Sequence, residues 1–174
     1  MEFSDYQDIV LKRLPEVDPA ALIELMNDVD VRRHMPLAKS HFGRLECERF
    51  VAAKEQIWKE QGYGPWAFVL GQDFLGWGGL QPEGDDVDMG LVLRRAHWGA
   101  GRTLCDRILR YAFQELDLDS VITLLPLSRS RVAGLSRLGF REDGRVKIDG
   151  ETFRRFRLRR QHAGRRHLVP SGPV

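Results

Sequence analysis

LVLRRAHWGAGRTL, residues 91–104, is the stretch on which the reading of this chain turns. An extended apolar segment, Leu91-Val92-Leu93, runs into the small residues Gly99-Ala100-Gly101, and an amphipathic helical pattern begins at once. Small residues let a backbone come close to a ligand and adopt unusual dihedrals. The unpaired N–H groups of a first helical turn, together with the positive end of the helix dipole, form an anion site. A diphosphate suits such a crook, with Arg102 adding a cation at its rim. Taken alone, Gly-x-Gly before a helix is a weak signal, because such glycines often only permit a tight turn.

Outward from this point, elements alternate. Downstream, a helix is expected over Gly101–Leu116, with Leu104, Ile108, Tyr111 and Ala112 on one face. The apolar run SVITLLP (120–126) reads as a buried strand. A short helix at Ser130–Leu138 with Gly139 as its cap follows, and then a basic hairpin turning at IDG (148–150). Upstream lie strand patterns at 87–93, 74–81 and 66–70. Before them come helices at Arg44–Gln61 and at Ala20–Asn27, the latter led by the cap pair Asp18-Pro19. A first strand covers Asp8–Leu14. The order β-α-α-β-β-β-α-β-α-β-β is that of a mixed α/β domain. A dinucleotide fold would place G-x-G-x-x-G near the first strand, whereas here the glycines follow the fourth. A phosphate-binding loop of the Gly-Lys-Ser/Thr type is absent.

Bulk properties narrow the function classes. With 174 residues, 43% hydrophobic and 30% charged, the chain is the size of one domain with a sizeable core. We expect that domain over 1–160, with a C-terminal tail at 161–174 gathering Gly, Pro and Arg. A formal net charge of +2 gives no general argument for a nucleic-acid partner. Cys47 and Cys105 are too few for a disulfide framework and lack metal-ligand spacing, so no metal is expected and a reduced, cytoplasmic protein fits. No apolar stretch approaches the ~20 residues that span a bilayer, and MEFSDYQDIV lacks the basic start of a signal peptide.

The chain resembles the GNAT acetyltransferase superfamily, and within it the ribosomal-protein N-terminal acetyltransferase branch. The resemblance runs from about Asp8 to Arg160. It rests on RLPEVDPAALIELMNDVDVRRHMP, GYGPWAFVL with LGWGGL, MGLVLRRAHWGAGRTL, RYAFQELDLDSV, and SRLGF followed by the IDG hairpin. It implies a mostly antiparallel twisted sheet of about seven strands, splayed between the fourth and fifth and flanked by about four helices. It implies acetyl-CoA as cosubstrate and direct transfer to a primary amine, on a peptide or protein N-terminus or a small molecule. A homodimer is compatible with it.

Carried over residue by residue, the pyrophosphate loop becomes Trp98, Gly99, Ala100, Gly101, Arg102 and Thr103, leading into Leu104. Thr103 replaces the family's last small residue. Leu91, Val92 and Leu93 become the strand that offers backbone groups to the pantetheine arm. An α-amine has a pKa near 8 and lysine near 10.4, so transfer needs a base. Asp88 is the leading candidate, standing where the branch often has glutamate. The alternative is a solvated carboxylate in the acidic turn with Asp85 and Asp86. His97 reads as a surface histidine outside the amine pocket.

The family's asparagine, serine and tyrosine further on are here Ser128, Arg131 and Leu135. Ser128 retains the ability to bond the pantetheine, whereas Leu135 donates no proton. Ser128 and Ser130 are therefore weak candidates for the acid, which stays unassigned. Tyr63, Trp66 and Trp77 are candidates for shaping the acceptor pocket, together with Val31–Phe42 carrying His34, Met35 and His41. Two rivals remain. One is a CoA-binding module without catalysis. The other is an RNA- or ribosome-binding protein using the basic face Arg155, Arg157 and Arg159, with Arg165 and Arg166 in the tail.

Overall fold

A computed structural model describes residues 6–160. The expected tail, with Arg165 and Arg166, lies outside the described residues. The elements in chain order are β1 (Val10–Lys12), α1 (Pro19–Asn27), α2 (Val29–Arg32), α3 (Arg44–Gln61), β2 (Pro65–Leu70), β3 (Asp73–Glu83), β4 (Asp86–Leu93), α4 (Gly101–Arg110), β5 (Ser120–Pro126), α5 (Ala133–Leu138), β6 (Arg141–Ile148) and β7 (Glu151–Arg159).

Local chemistry explains most boundaries. The Asp18 carboxylate accepts the Ala20 N–H at 2.9 Å, and Pro19 occupies the first turn of α1. Gly139 ends α5 in the left-handed region at φ 98°. Asp149 and Gly150, both at positive φ, join β6 to β7 by the two-residue turn that suits the right-handed strand twist. Four elements differ from the sequence expectation. β1 is shorter than Asp8–Leu14, because Pro15 cannot donate to a ladder and Leu14–Glu16 instead forms one 3-10 turn. α2 was not expected; the Asp28 carboxylate caps it by accepting from the Asp30 and Val31 N–H groups. α4 passes at Tyr111 into a wider π turn reaching Glu115, in which the Leu116 N–H bonds the Tyr111 carbonyl five residues back. α5 begins at Ala133 rather than Ser130. The described residues thus hold five α-helices, of which α2 is a single four-residue turn.

The seven strands form one sheet in the order β1-β2-β3-β4-β5-β7-β6. Every neighbouring pair is antiparallel except β4 and β5, which run parallel. Their backbones pair at one place, Asp88 with Ile122. Just beyond it the Thr123 hydroxyl donates to the Met89 carbonyl at 2.8 Å, and no backbone pairing follows. A wedge therefore opens from Asp88 towards Leu93 on one side and Pro126 on the other.

Apolar layers cover both faces of the sheet. Leu80 and Met89 pack with Leu104 and Ile108 of α4 on one face. Leu22, Leu25 and Met26 of α1, with Phe50 of α3, meet Trp77 and Val92 on the other. Leu104 and Ile108 are fully buried, each contributing roughly 1.5–3 kcal/mol. This burial fixes α4, and with it the loop at the mouth of the wedge.

Candidate functional site

The mouth of the wedge is made by backbone. In the antiparallel pair β3–β4, the Arg94 N–H donates to the Leu75 carbonyl at 2.8 Å, and directly opposed residues alternate between bonded and non-bonded pairs. Counting back, Val92 and Gly90 direct their backbone groups to β3, whereas Leu91 and Leu93 direct theirs to the wedge. The Trp98 indole N–H takes the Leu93 carbonyl at 3.1 Å, which leaves the Leu91 pair facing the opening. Of the three strand residues expected to bind through backbone, Leu91 and Leu93 thus face the wedge and Val92 faces away.

Between β4 and α4 the chain coils in a 3-10 stretch, Arg95–Ala100, instead of passing directly into the helix. The Gly101 amide donates to the Trp98 carbonyl, so that amide is already engaged. Ala100 and Leu104 are buried, and only their backbones can meet a ligand. Trp98, Gly99 and Arg102 are exposed, and Arg102 lies 3.9 Å from Asp106 one turn along α4. Thr103 is half-buried on the same turn. Neither loop glycine has positive φ. A Cβ at Gly101 would meet nothing nearer than Leu93 Cδ1 at 4.0 Å, and one at Gly99 only the Tyr6 ring at 3.5 Å. The fold itself does not demand glycine at either position, so the bare backbone leaves room for something else. Arg94 and Arg95 brace the loop from below through Glu24 (3.0 Å) and Asp30 (3.0 Å).

The closed end of the wedge is made by side chains. Asp88 is 7% exposed, which excludes the solvated acidic-turn alternative. Its Oδ2 accepts from Gln81 Nε2 at 3.2 Å, while Oδ1 has no hydrogen-bond partner. Burial pushes this carboxyl up to about 6; the Gln81 bond opposes that rise, Glu83 adds to it, and the Leu124 backbone and Lys54 oppose it. Gln81 Oε1 in turn accepts from Lys54 Nζ of α3 at 2.8 Å. Lys54 lies 5.2 Å from the ring centres of both Phe50 and Trp77, and burial lowers its pKa. Beside Asp88, on the same face of β4, Gly90 is exposed, and a Cβ there would meet nothing within 4 Å. Gly90, two residues along the strand from Asp88, thus leaves open space on the face that carries the carboxylate. The sequence reading missed Lys54 and Gln81. The only signal for either was Lys54 at helical spacing from Phe50 and Trp58.

The other expected residues fall elsewhere. Ser128 and Ser130 are exposed beyond β5, and Ser128 Oγ lies 3.5 Å from His34 Nδ1. Ser128 is six residues past Ile122, the partner of Asp88, so the wedge separates the two along its length. His34 is held low by burial first, then by Arg129 and Arg33. Leu135 packs into the core. His97 is half-buried rather than on the surface, with Nδ1 buried and unpartnered and its ring edge-on to Tyr6. Trp66 lies edge-to-face with both Trp58 and Tyr111, and Tyr63 is buried with the α4-side cluster; Trp77 alone of the three aromatics borders the Lys54–Asp88 chain. The basic strand face is largely neutralised. Arg157 binds Asp86 through both amino nitrogens and Asp143 through Nε, Arg155 pairs with Asp143, and Arg154 with Glu142. Burial pushes the Cys105 thiol up to about 12, which disfavours the thiolate there. Among the described residues no cluster of His, Cys, Asp and Glu could hold a metal, and no helix is long and apolar enough to cross a membrane.

A sequence model of the acetyltransferase (GNAT) domain matches residues 8–141. Solved structures share the architecture. An acetyltransferase from Agrobacterium tumefaciens superposes with a TM-score of 0.72 at 18% identity, over 87% of this chain and 91% of that one. Spermidine N-acetyltransferase from Vibrio cholerae, in complex with CoA and spermine, gives 0.71 at 15% identity over 90% and 98%. A GNAT-family acetyltransferase from Bacillus anthracis gives 0.68 at 16% over 87% and 93%.

Proposed function

Because the chain belongs to the GNAT acetyltransferase family, we propose that it moves the acetyl group of acetyl-CoA directly onto a primary amine. The observation that carries this reading is Asp88: a buried carboxylate with one unpartnered oxygen, at the closed end of a wedge whose mouth is bare backbone. Acetyl-CoA fits that geometry. The diphosphate would lie against Gly99, Ala100, Gly101, Arg102 and Thr103, with the positive end of α4 behind them. The pantetheine would run along the Leu91 and Leu93 backbone, with Ser128 at the outer end. From Asp88 to Leu93 is five residues, about 17 Å of strand along which an extended arm would lie.

In the ternary complex the acceptor enters over Gly90 as an ammonium. Asp88 Oδ1 takes one proton, directly or through a water. With a pKa near 6, Asp88 is ionised at neutral pH yet basic enough to help. The freed amine nitrogen bonds to the thioester carbonyl carbon, the carbon–sulfur bond breaks, and the second nitrogen proton balances the departing thiolate. Thiolate is a tolerable leaving group, so transfer does not require the acid that Leu135 cannot supply.

The finer resemblance to the ribosomal-protein N-terminal branch rests on sequence motifs and favours an α-amine acceptor, on a peptide or a protein terminus, over a polyamine. The chain would act as one domain in the cytoplasm. The test is thiol release from acetyl-CoA in the presence of N-terminal peptides, amino acids and polyamines, alongside calorimetric CoA affinity. Turnover on at least one class supports the proposal. Tight CoA binding with no turnover on any amine, and no acetylated product by mass spectrometry after incubation with cell extract, would leave only a CoA-binding module.

A further inference from the structure

We propose that Lys54 is a positioning residue for this site, fixing through the Gln81 amide which oxygen of Asp88 stays free to receive the proton. The inference rests on the reading of Asp88 as base.

A lysine ammonium has three donors and no acceptor, so the group of Gln81 that faces it at 2.8 Å must be the carbonyl oxygen. The NH2 group is thereby turned towards Asp88, where it donates to Oδ2 at 3.2 Å. An amide turned the other way would present an acceptor to Asp88 and favour a protonated acid there. Lys54 thus orients Gln81 so that its NH2 group engages Oδ2 and favours the ionised form, leaving Oδ1 without a side-chain partner. Lys54 itself is held by the faces of Phe50 and Trp77, which are edge-to-face at 4.9 Å. α3 thereby reaches the chemistry without bonding Asp88. The other charged group acting on Asp88 is Glu83 on β3, which reinforces burial rather than opposing it; from β5 comes the Leu124 backbone.

The test is a carboxyl-carbon NMR titration of Asp88 in the full chain, a readout that does not depend on the acceptor. Lys54→Met keeps a chain of similar shape against the two rings but removes the donors and the charge. The Asp88 midpoint should rise by about one pH unit in Lys54→Met and in Gln81→Met, and should return towards the wild-type value in Lys54→Arg. The acidic limb of the turnover profile should move with it, while CoA affinity stays unchanged. An Asp88 midpoint that stays at the wild-type value in folded Lys54→Met overturns the proposal. The two readings fail separately. If Asp88→Asn leaves the acidic limb in place, the base is misassigned; if it removes the limb and Lys54→Met does not move it, only the role of Lys54 falls.

Discussion

The two ends of β4 are built in different ways. At its C-terminal end, a continuous run from Leu91 to Leu104 makes the mouth of the wedge almost entirely from main chain. At its N-terminal end, the apex is a relay of three side chains from three elements, with Lys54 separated from Gln81 by 27 residues and Gln81 from Asp88 by 7. The mouth tolerates changes that leave its backbone bare. The apex depends on side-chain identity, because Asp88 is buried, Gln81 and Lys54 are half-buried, and each bond sets the orientation of the next. On the proposed function, the mouth governs binding and the apex governs turnover.

That division can be broken by substitution. Asp88→Asn keeps the Gln81 bond and removes the base. Turnover at pH 7 should fall about 10²–10⁴-fold, with CoA affinity unchanged; an equal loss in affinity would show the two ends are not separate. Gly101→Val places a branched side chain in the open space beside the loop. CoA affinity should weaken about 100-fold, near 3 kcal/mol, with the thermal midpoint preserved, because the first added carbon meets only Leu93 at 4.0 Å. Wild-type affinity by calorimetry would move the cofactor site elsewhere.

The pH dependence of stability sharpens the contrast. The native carboxyl of Asp88 titrates near 6, against 3.8 for an unperturbed aspartate. A raised carboxyl binds its proton more tightly in the folded state. Its contribution is therefore fully present below pH 3.8 and is lost as pH rises through 6, a change of about 3 kcal/mol. Asp88→Asn should flatten that dependence, and chemical denaturation at pH 5 and pH 8 measures it. Equal slopes in wild type and variant would mean that Asp88 is not buried as described. The smallest expected effect is at the clip between the strands. Thr123→Val leaves the Met89 carbonyl unsatisfied and should cost about 1–3 kcal/mol by the same method. If it costs nothing, the hydroxyl does not hold the apex closed.

Legibility in the sequence follows the same line. The strands at 66–70 and 87–93, the helix over 44–61, the caps at Asp18 and Gly139 and the turn at Asp149-Gly150 were readable, since each depends on periodicity or on a residue's own dihedral preference. The 3-10 stretch before α4 was not, because Gly99 and Gly101 signal a turn without saying whether their amides are already engaged. Nor was the pairing of the basic strand, where alternation exposed the arginines but could not place Asp86 and Asp143 against Arg157.

Sequence alone determined the order of elements apart from α2, the glycine crook and the family to which they belong, because these are written in neighbouring residues. Tertiary structure decided the rest. It withdrew Asp88 from water, set Gln81 between a cation and a carboxylate, turned Leu91 rather than Val92 towards the wedge, and moved Ser128 to its far end. Burial, strand register and amide orientation are properties of what lies opposite a residue, and no local pattern in the chain records them.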